Sequence, residues 1–301
     1  MKKRLLASLM VLCMVTSMIP AAFALDNTDV PDTPPVEQTV NGGASTDAAS
    51  NDELIEAWDS PASGDWSVIF YYHDEMPCYF KDFDTAWKAV VVDGRFRYGD
   101  EINDIIIGED IFALPDELKL VMSKPQTVTT EELTVKDGVT VNIVVAPHTN
   151  GGAAKPKDIA HTFHSGITVE KGGSLNFCND FWANYPNNVT VTFGGPIKVE
   201  AGGSLTMESV DPTVDSNSTV YQLSDQAEGS LLEVKAGGSA TLTEVKLTSS
   251  NNAPVISASG NVTLERGMFG TKVTEVSNTG AAPAIEVKGA GQLTVIDDNK
   301  D

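Results

Sequence analysis

The sequence predicts an all-β fold: a β-solenoid of about six to seven stacked coils behind a small α/β N-terminal cap. Three observations predict it. A segment that alternates apolar and polar residues recurs through the second half of the chain, glycine interrupts each copy at the same place, and the copies lie about thirty residues apart with room for insertions between them.

The 301 residues begin with a leader. Lys2, Lys3 and Arg4 precede an apolar run from Leu5 to Ile19, then Pro20 and the small-residue pair Ala22-x-Ala24, so residues 1–24 read as a secretory signal peptide cleaved after Ala24. The run is short for a membrane span. Losing three cations makes the mature chain more acidic still than the full-length charge of −22. That charge disfavours a broad nucleic-acid interface and anionic membrane surfaces, and no membrane insertion is expected once the leader is gone. Cys13 leaves with the leader. Cys78 and Cys178 could form one bridge or stay as two thiols, and a solenoid of this kind does not need a staple.

Residues 25–52 hold no Lys or Arg, several prolines and glycines, and almost nothing to bury, which predicts a disordered acidic linker. Residues 53–121 form the predicted cap. Trp66 to Tyr72 is aromatic and β-branched, hence a strand, and Asp82 stands as N-cap before Phe83, Ala86, Trp87 and Val90 on one face of a short helix.

Residues 122–301 form the repeats. Ile167-Thr168-Val169-Glu170-Lys171-Gly172-Gly173-Ser174-Leu175 is echoed from Ile197, Leu232 and Ile285. The copies at Leu133 and Ile256 read as having a turn shortened by two residues. Period-two alternation on both sides of a glycine predicts two short strands with one buried face, joined at a corner. Three stretches interrupt the coils after the second strand: Ala146 to Ser165, Cys178 to Asn188 and Asp211 to Gly229. Insertions at one point of a repeat emerge on one side of the stack, which makes that flank the place to look for binding.

With these coils, the Phe83-to-Val90 helix and the leader, the chain resembles the right-handed parallel β-helix proteins of the pectate-lyase-like superfamily, and within it the secreted adhesin-like surface proteins of Gram-positive bacteria. The resemblance implies a solenoid that hosts lyases, hydrolases, adhesins or inert stalks, so activity has to be argued from a site. Lyases of this kind use an arginine with calcium-holding carboxylates, but Arg266 is the only arginine in the coils and lacks the accompanying motif. The hydrolases use clustered aspartates, and here the only Asp pair in the coils is Asp297-Asp298.

The best binding candidate is Asp180-Phe181-Trp182-Ala183-Asn184-Tyr185. Trp182 and Tyr185 offer rings to the apolar face of a sugar, and Asp180 and Asn184 offer hydrogen bonds to its hydroxyls; the alternative is that the rings cover the solenoid flank. Asp158, His161 and His164 form a weak metal candidate whose glycine-rich surroundings suit solvated loop histidines better. Asp297, Asn299 and Asp301 alternate like the start of a calcium loop but lack its glycine and distal acid. Glu170, Glu200, Glu233 and Glu286 read as one outward ladder diluted by Lys171, Lys198, Lys235 and Lys288. No catalytic constellation, metal or cofactor is predicted. The sequence therefore predicts a secreted or cell-surface, adhesin-like scaffold that contacts a glycan or a host or cell-wall component through loops on one flank. A polysaccharide lyase or glycoside hydrolase with a diverged site and a passive spacer are the rivals.

Overall fold

The computed structural model describes residues 54–57, 67–72, 76–98, 101–105, 117–145, 158–178, 188–209, 218–266 and 274–297. The predicted leader and linker lie outside them. The cap opens with β1 (Glu56–Ala57) and the hairpin β2 (Val68–Tyr72) and β3 (Met76–Phe80). Helix α1 (Phe83–Trp87) follows, capped by the Asp82 carboxylate, which accepts from the Thr85 backbone N–H at 2.8 Å. As the spacing predicts, Phe83, Ala86 and Trp87 are buried, and a π-helical turn over Lys88–Val92 buries Ala89 and Val90. The strands β4 (Arg95–Tyr98), β5 (Glu101–Asp104) and β6 (Glu117–Met122) complete this part.

Each coil then contributes three strands, one more than the two predicted. The first coil is β7 (Thr127–Val128), β8 (Leu133–Val135) and β9 (Thr140–Val144). The second is β10 (Asp158–Phe163), β11 (Ile167–Val169) and β12 (Ser174–Cys178), and the third β13 (Asn188–Phe193), β14 (Ile197–Val199) and β15 (Ser204–Glu208). The fourth is β16 (Ser218–Leu223), β17 (Leu232–Val234) and β18 (Ser239–Thr243), and the fifth β19 (Lys246–Ser249), β20 (Ile256–Ala258) and β21 (Asn261–Glu265). The last is β22 (Glu275–Asn278), β23 (Ile285–Val287) and β24 (Gln292–Ile296).

First, second and third strands stack separately into three parallel faces. Faces 1 and 2 have six strands each; face 3 has seven, beginning at β6, and is continued antiparallel by β2 and β3 into a nine-stranded sheet. On face 2 the register runs Leu133, Ile167, Ile197, Leu232, Ile256, Ile285, the same positions from which the repeat was counted. Period two sends these side chains inward, and all but Ile285 are buried.

The glycine pair at the face 2 to face 3 corner has two separate causes. Gly172 has φ +74°, a left-handed conformation that side chains resist. Gly173 has ordinary φ, but a Cβ there would lie 2.8 Å from the Val135 carbonyl oxygen of the preceding coil. In the first coil this corner carries Val139 after Gly138, two residues before Val141. Its turn is therefore full length, with Val141 opposite Leu175, which corrects the shortened turn predicted for the Leu133 copy. Only the copy at Ile256 is short: Val262 pairs with Ala240 although its turn has two residues fewer.

An aromatic column joins cap and coils. Trp87 stacks on Phe83 at 5.6 Å, Phe83 meets Phe163 edge-on at 5.5 Å, Phe163 stacks on Phe193 at 5.0 Å, and Phe177 lies edge-on to both Phe193 and Tyr221. Burying each such ring contributes about 1.5–3 kcal/mol before its neighbours are counted. Cys78 is buried in β3, where burial pushes its thiol up to about 12, and neither it nor Cys178 forms a disulfide. Among the described residues no helix is long and apolar enough to cross a membrane.

Candidate functional site

The glycan candidates Asp180, Trp182, Asn184 and Tyr185 lie outside the described residues. Their flanks, Cys178 at the end of β12 and Asn188 at the start of β13, attach that segment to the corner between face 3 and face 1. The other two predicted insertions are shorter than expected because each ends in a face 1 strand: β10 takes up residues 158–163 and β16 takes up 218–223.

That correction reassigns the histidines. Asp158 and His161 belong to β10, whose alternation turns Ile159, His161 and Phe163 inward and leaves Asp158 exposed; His164, just past the strand, is also exposed. His161 is buried. The Gln126 N–H donates to its Nδ1 at 3.3 Å, which obliges Nε2 to carry the proton and donate to the Val145 carbonyl at 3.0 Å. Burial holds its pKa down to about 4, against the opposing pull of that carbonyl. The three residues do not converge, and no group of three or more potential metal ligands occurs among the described residues. Asp297 Oδ1 lies 2.8 Å from Arg266 Nε, while Asn299 and Asp301 lie outside the described residues.

The predicted glutamate ladder is two ladders. Register places Glu233 and Glu286 in one column with Thr168 and Lys198, while Glu170 and Glu200 follow Val169 and Val199 and share the next outward column with Lys235 and Lys288. Opposite charges meet between the columns, at 3.1 Å for Lys235 and Glu233 and 2.9 Å for Lys288 and Glu286. This is a charge-mixed exposed face, and such pairs add little stability.

Face 1 carries a different pattern. Its central outward row runs Thr127, Thr162, Thr192, Gln222, Thr248, Ser277, one residue per coil and none charged. Neighbouring strands space these groups about 4.8 Å apart. Gln222 Nε2 donates to Thr192 Oγ1 at 2.9 Å, holding the row in order. Over its last four members the row floors a groove of about 610 Å³, with Asp225 and Lys246 among its walls. A second depression of about 460 Å³ continues from Asp225 and Ser250 along Asn251 and Asn252. Lys246 is paired with Glu275 at 2.9 Å, so the cation at the groove wall is balanced. The result is a shallow surface of hydroxyls and amides that can donate and accept, with the Asp225 carboxylate at its edge accepting from Ser250 Oγ.

A second polar cluster lies at the face 3 to face 1 corner, where the insertions leave. Glu208, Thr243 and Glu265 share one row at the strand ends. Burial, then the nearby Glu265 charge, raises the Glu208 pKa. Tyr221 is buried beside them, its hydroxyl without a hydrogen-bond partner, and burial raises its pKa strongly, with smaller contributions from Cys178 and Glu208. Glu244 has φ +56° and is the only non-glycine residue in that region among the described residues. Sequence reasoning missed both the row and the cluster. The signal was present in Ser204-Leu205-Thr206-Met207-Glu208 and Asn261-Val262-Thr263-Leu264-Glu265, which end in the same residue at the same strand position.

No protein-family model matches the chain, and neither does any curated protein or solved structure.

Proposed function

We propose that the protein is a secreted or cell-surface β-helix scaffold, adhesin-like in kind, that presents face 1 and the loops at its edge to a glycan of a host or cell-wall surface. The export leader and the repeat support placing it with the pectate-lyase-like solenoids. The observation that carries the reading is the uncharged row from Thr127 to Ser277 in a chain of net charge −22. A neutral, hydroxyl-rich polymer laid along the stack meets repeated hydrogen-bonding groups and no like charge, whereas an acidic polymer is repelled by the chain as a whole. The test is binding to immobilised neutral and acidic polysaccharides. Binding to a neutral one, weakened about tenfold or more by Gln222→Ala with Thr248→Ala, supports the reading. Binding indifferent to that pair and to Trp182→Ala with Tyr185→Ala, or absent across the panel, overturns it.

A diverged hydrolase is the second reading, favoured by Glu208 and Glu265. They stand two strands apart, about 9.5 Å at the backbone, and Glu208 is biased toward its protonated form. Release of reducing ends that disappears in Glu208→Gln supports it; no release from any polysaccharide bound in the first test removes it.

A further inference from the structure

The last coil leaves a surface unlike any other described part of the molecule. β22, β23 and β24 end their sheets, and among the described residues nothing pairs with their outer edges. Val287, Leu293 and Val295 are 43%, 40% and 65% exposed, although Ala258 and Val262, the register partners of the first two one coil back, are buried. At the other end the β2–β3 hairpin extends face 3 and α1 packs its Phe83 on Phe163. Among the described residues, one end of the stack is covered and the other is an apolar mouth rimmed by three strand edges, a template for pairing with another chain.

We propose that this end is an interface for a second copy of the same chain, docked tail to tail about a two-fold axis through Val287, with β23 of the two copies paired antiparallel. Chain direction fixes the first element of this geometry. A two-fold axis across the stack reverses every strand, so two such ends can meet only antiparallel.

The backbone fixes the second element. The Ala284 carbonyl accepts from Ile256 and the Lys288 N–H donates to Ala258, so the groups of residues 284 and 288 face β20. Strand alternation then turns the N–H and C=O of Ile285 and Val287 toward the open edge. A residue with both groups outward suits the centre of an antiparallel hydrogen-bonded pair, in which each copy donates to and accepts from the other.

Charge selects the centre. With the axis on Val287, Glu286 of each copy faces Lys288 of the other. With the axis one residue earlier, the two Glu286 carboxylates face each other, an arrangement that destabilises a strand pair. The same axis turns the β24 edge toward β22 of the second copy and closes the mouth over Leu293 and Val295. Because the N-terminal end is covered, head-to-tail growth is blocked and assembly stops at two.

Sedimentation equilibrium of the full chain is expected to give a dimer. Glu286→Lys leaves only cations facing each other across the paired edges and Lys288→Glu leaves only anions, so each variant is expected to dissociate about tenfold or more readily. Mixing the two variants pairs an all-positive edge with an all-negative one and restores the dimer, an outcome that within-chain ion pairs cannot produce. Val287→Cys is expected to cross-link copies through residue 287 on oxidation. Circular dichroism checks that each variant folds. A monomer at every concentration, growth into longer oligomers, or a dimer indifferent to both charge reversals and their mixture overturns the proposal. So does a monomer whose Ile285 and Val287 amides, the two that face the open edge, resist hydrogen exchange, which would mean that another part of the chain covers the edge.

Discussion

Gln126 and His161 face each other one residue ahead of the register pair Thr127 and Thr162, and the backbone N–H of the first donates to Nδ1 of the second inside the core. The Gln126 side chain extends the link. Its Oε1 accepts from the Phe83 N–H at 3.1 Å, and its Nε2 donates to the Lys124 and Pro125 carbonyls. A polar thread therefore runs from the first residue of α1 through two coils to the Val145 carbonyl. Such a network fixes how the cap sits on the solenoid, and losing one member strands the others away from water.

Protonating His161 breaks this thread, because a charged ring has no acceptor left for Gln126. The folded state holds His161 neutral down to about 4, whereas the unfolded chain binds the proton near 6.5. Stability from this group is therefore complete above pH 6.5 and is lost as pH falls from 6.5 toward 4, by up to about 3 kcal/mol. Urea unfolding at pH 7.5, 5.5 and 4.5 should show the loss. His161→Gln, which keeps an acceptor and removes the titration, should be less stable at pH 7.5 but markedly flatter across the series. Equal slopes for the two proteins would contradict the assignment.

Asp84 makes the second clasp between cap and coils, in a lower pH window. Its carboxylate accepts from the backbone N–H and hydroxyl of both Thr129 and Thr130, at 2.7–3.0 Å. Burial alone would raise its pKa, but the hydrogen bonds from Thr130 and Thr129 outweigh it and hold the carboxyl below its ordinary value. Stability from Asp84 is thus present above the ordinary carboxylate range and lost as pH falls below it, after the His161 loss is complete. Asp84→Ala at pH 7 should cost about 2 kcal/mol, a figure kept modest because the group is partly solvated. Thermal melts of wild type and variant should converge as pH falls below the ordinary carboxylate range.

The glycine pairs predict opposite tolerances for adjacent residues. Gly202 has φ +81°, and its nearest contact for an added Cβ is the flexible Lys171 side chain, so Gly202→Asn should cost under about 1 kcal/mol. A Cβ on Gly203 would lie 2.8 Å from the Glu170 carbonyl oxygen, part of the backbone of the coil below. Gly203→Ala must separate two coils and should cost about 2–3 kcal/mol, more than the adjacent change, as measured by denaturant midpoint. In the first coil the matching Val139 already carries a side chain.

Face 2 and most of face 3 were legible because their inward residues are aliphatic or aromatic on both sides of a glycine marker. Face 1 was not, since its inward positions include Gln126, His161, Thr219 and Tyr221, which read as loop residues in a one-dimensional pattern. Three of them are buried for reasons that only neighbouring coils supply: Gln126 and His161 satisfy each other, and Tyr221 lies edge-on to Phe177 at 5.3 Å. Missing face 1 also hid its outward row, because Thr162, Thr192, Gln222 and Thr248 are aligned by the stack and not by any local motif. The glutamate ladder failed in the opposite way. Treating the glutamate of each copy as one position put Glu170 beside Glu233, although Glu170 precedes its glycine pair by two residues and Glu233 by four, and strand register separates them by one outward column.

Tyr221 tests what the corner cluster is built to do. Its ring is fully buried in the aromatic column, but its hydroxyl makes no hydrogen bond, a desolvation cost of about 1–3 kcal/mol with nothing in return. Tyr221→Phe keeps the ring contact and removes the cost, so it should be neutral or should stabilise the fold by about 1 kcal/mol, read from the denaturant midpoint at unchanged m-value. The neutral phenol places no charge beside Glu208, so the same change should leave Glu208 ionisation unmoved, whereas a hydroxyl donating to Glu208 through a bridging water would make that ionisation harder once removed. A destabilised Tyr221→Phe with a shifted Glu208 titration would show that the hydroxyl is held by such a bridge, and that the corner is a preformed polar site. A stabilised variant with an unmoved Glu208 would make the hydroxyl a remnant of packing, independent of Glu208 and Glu265.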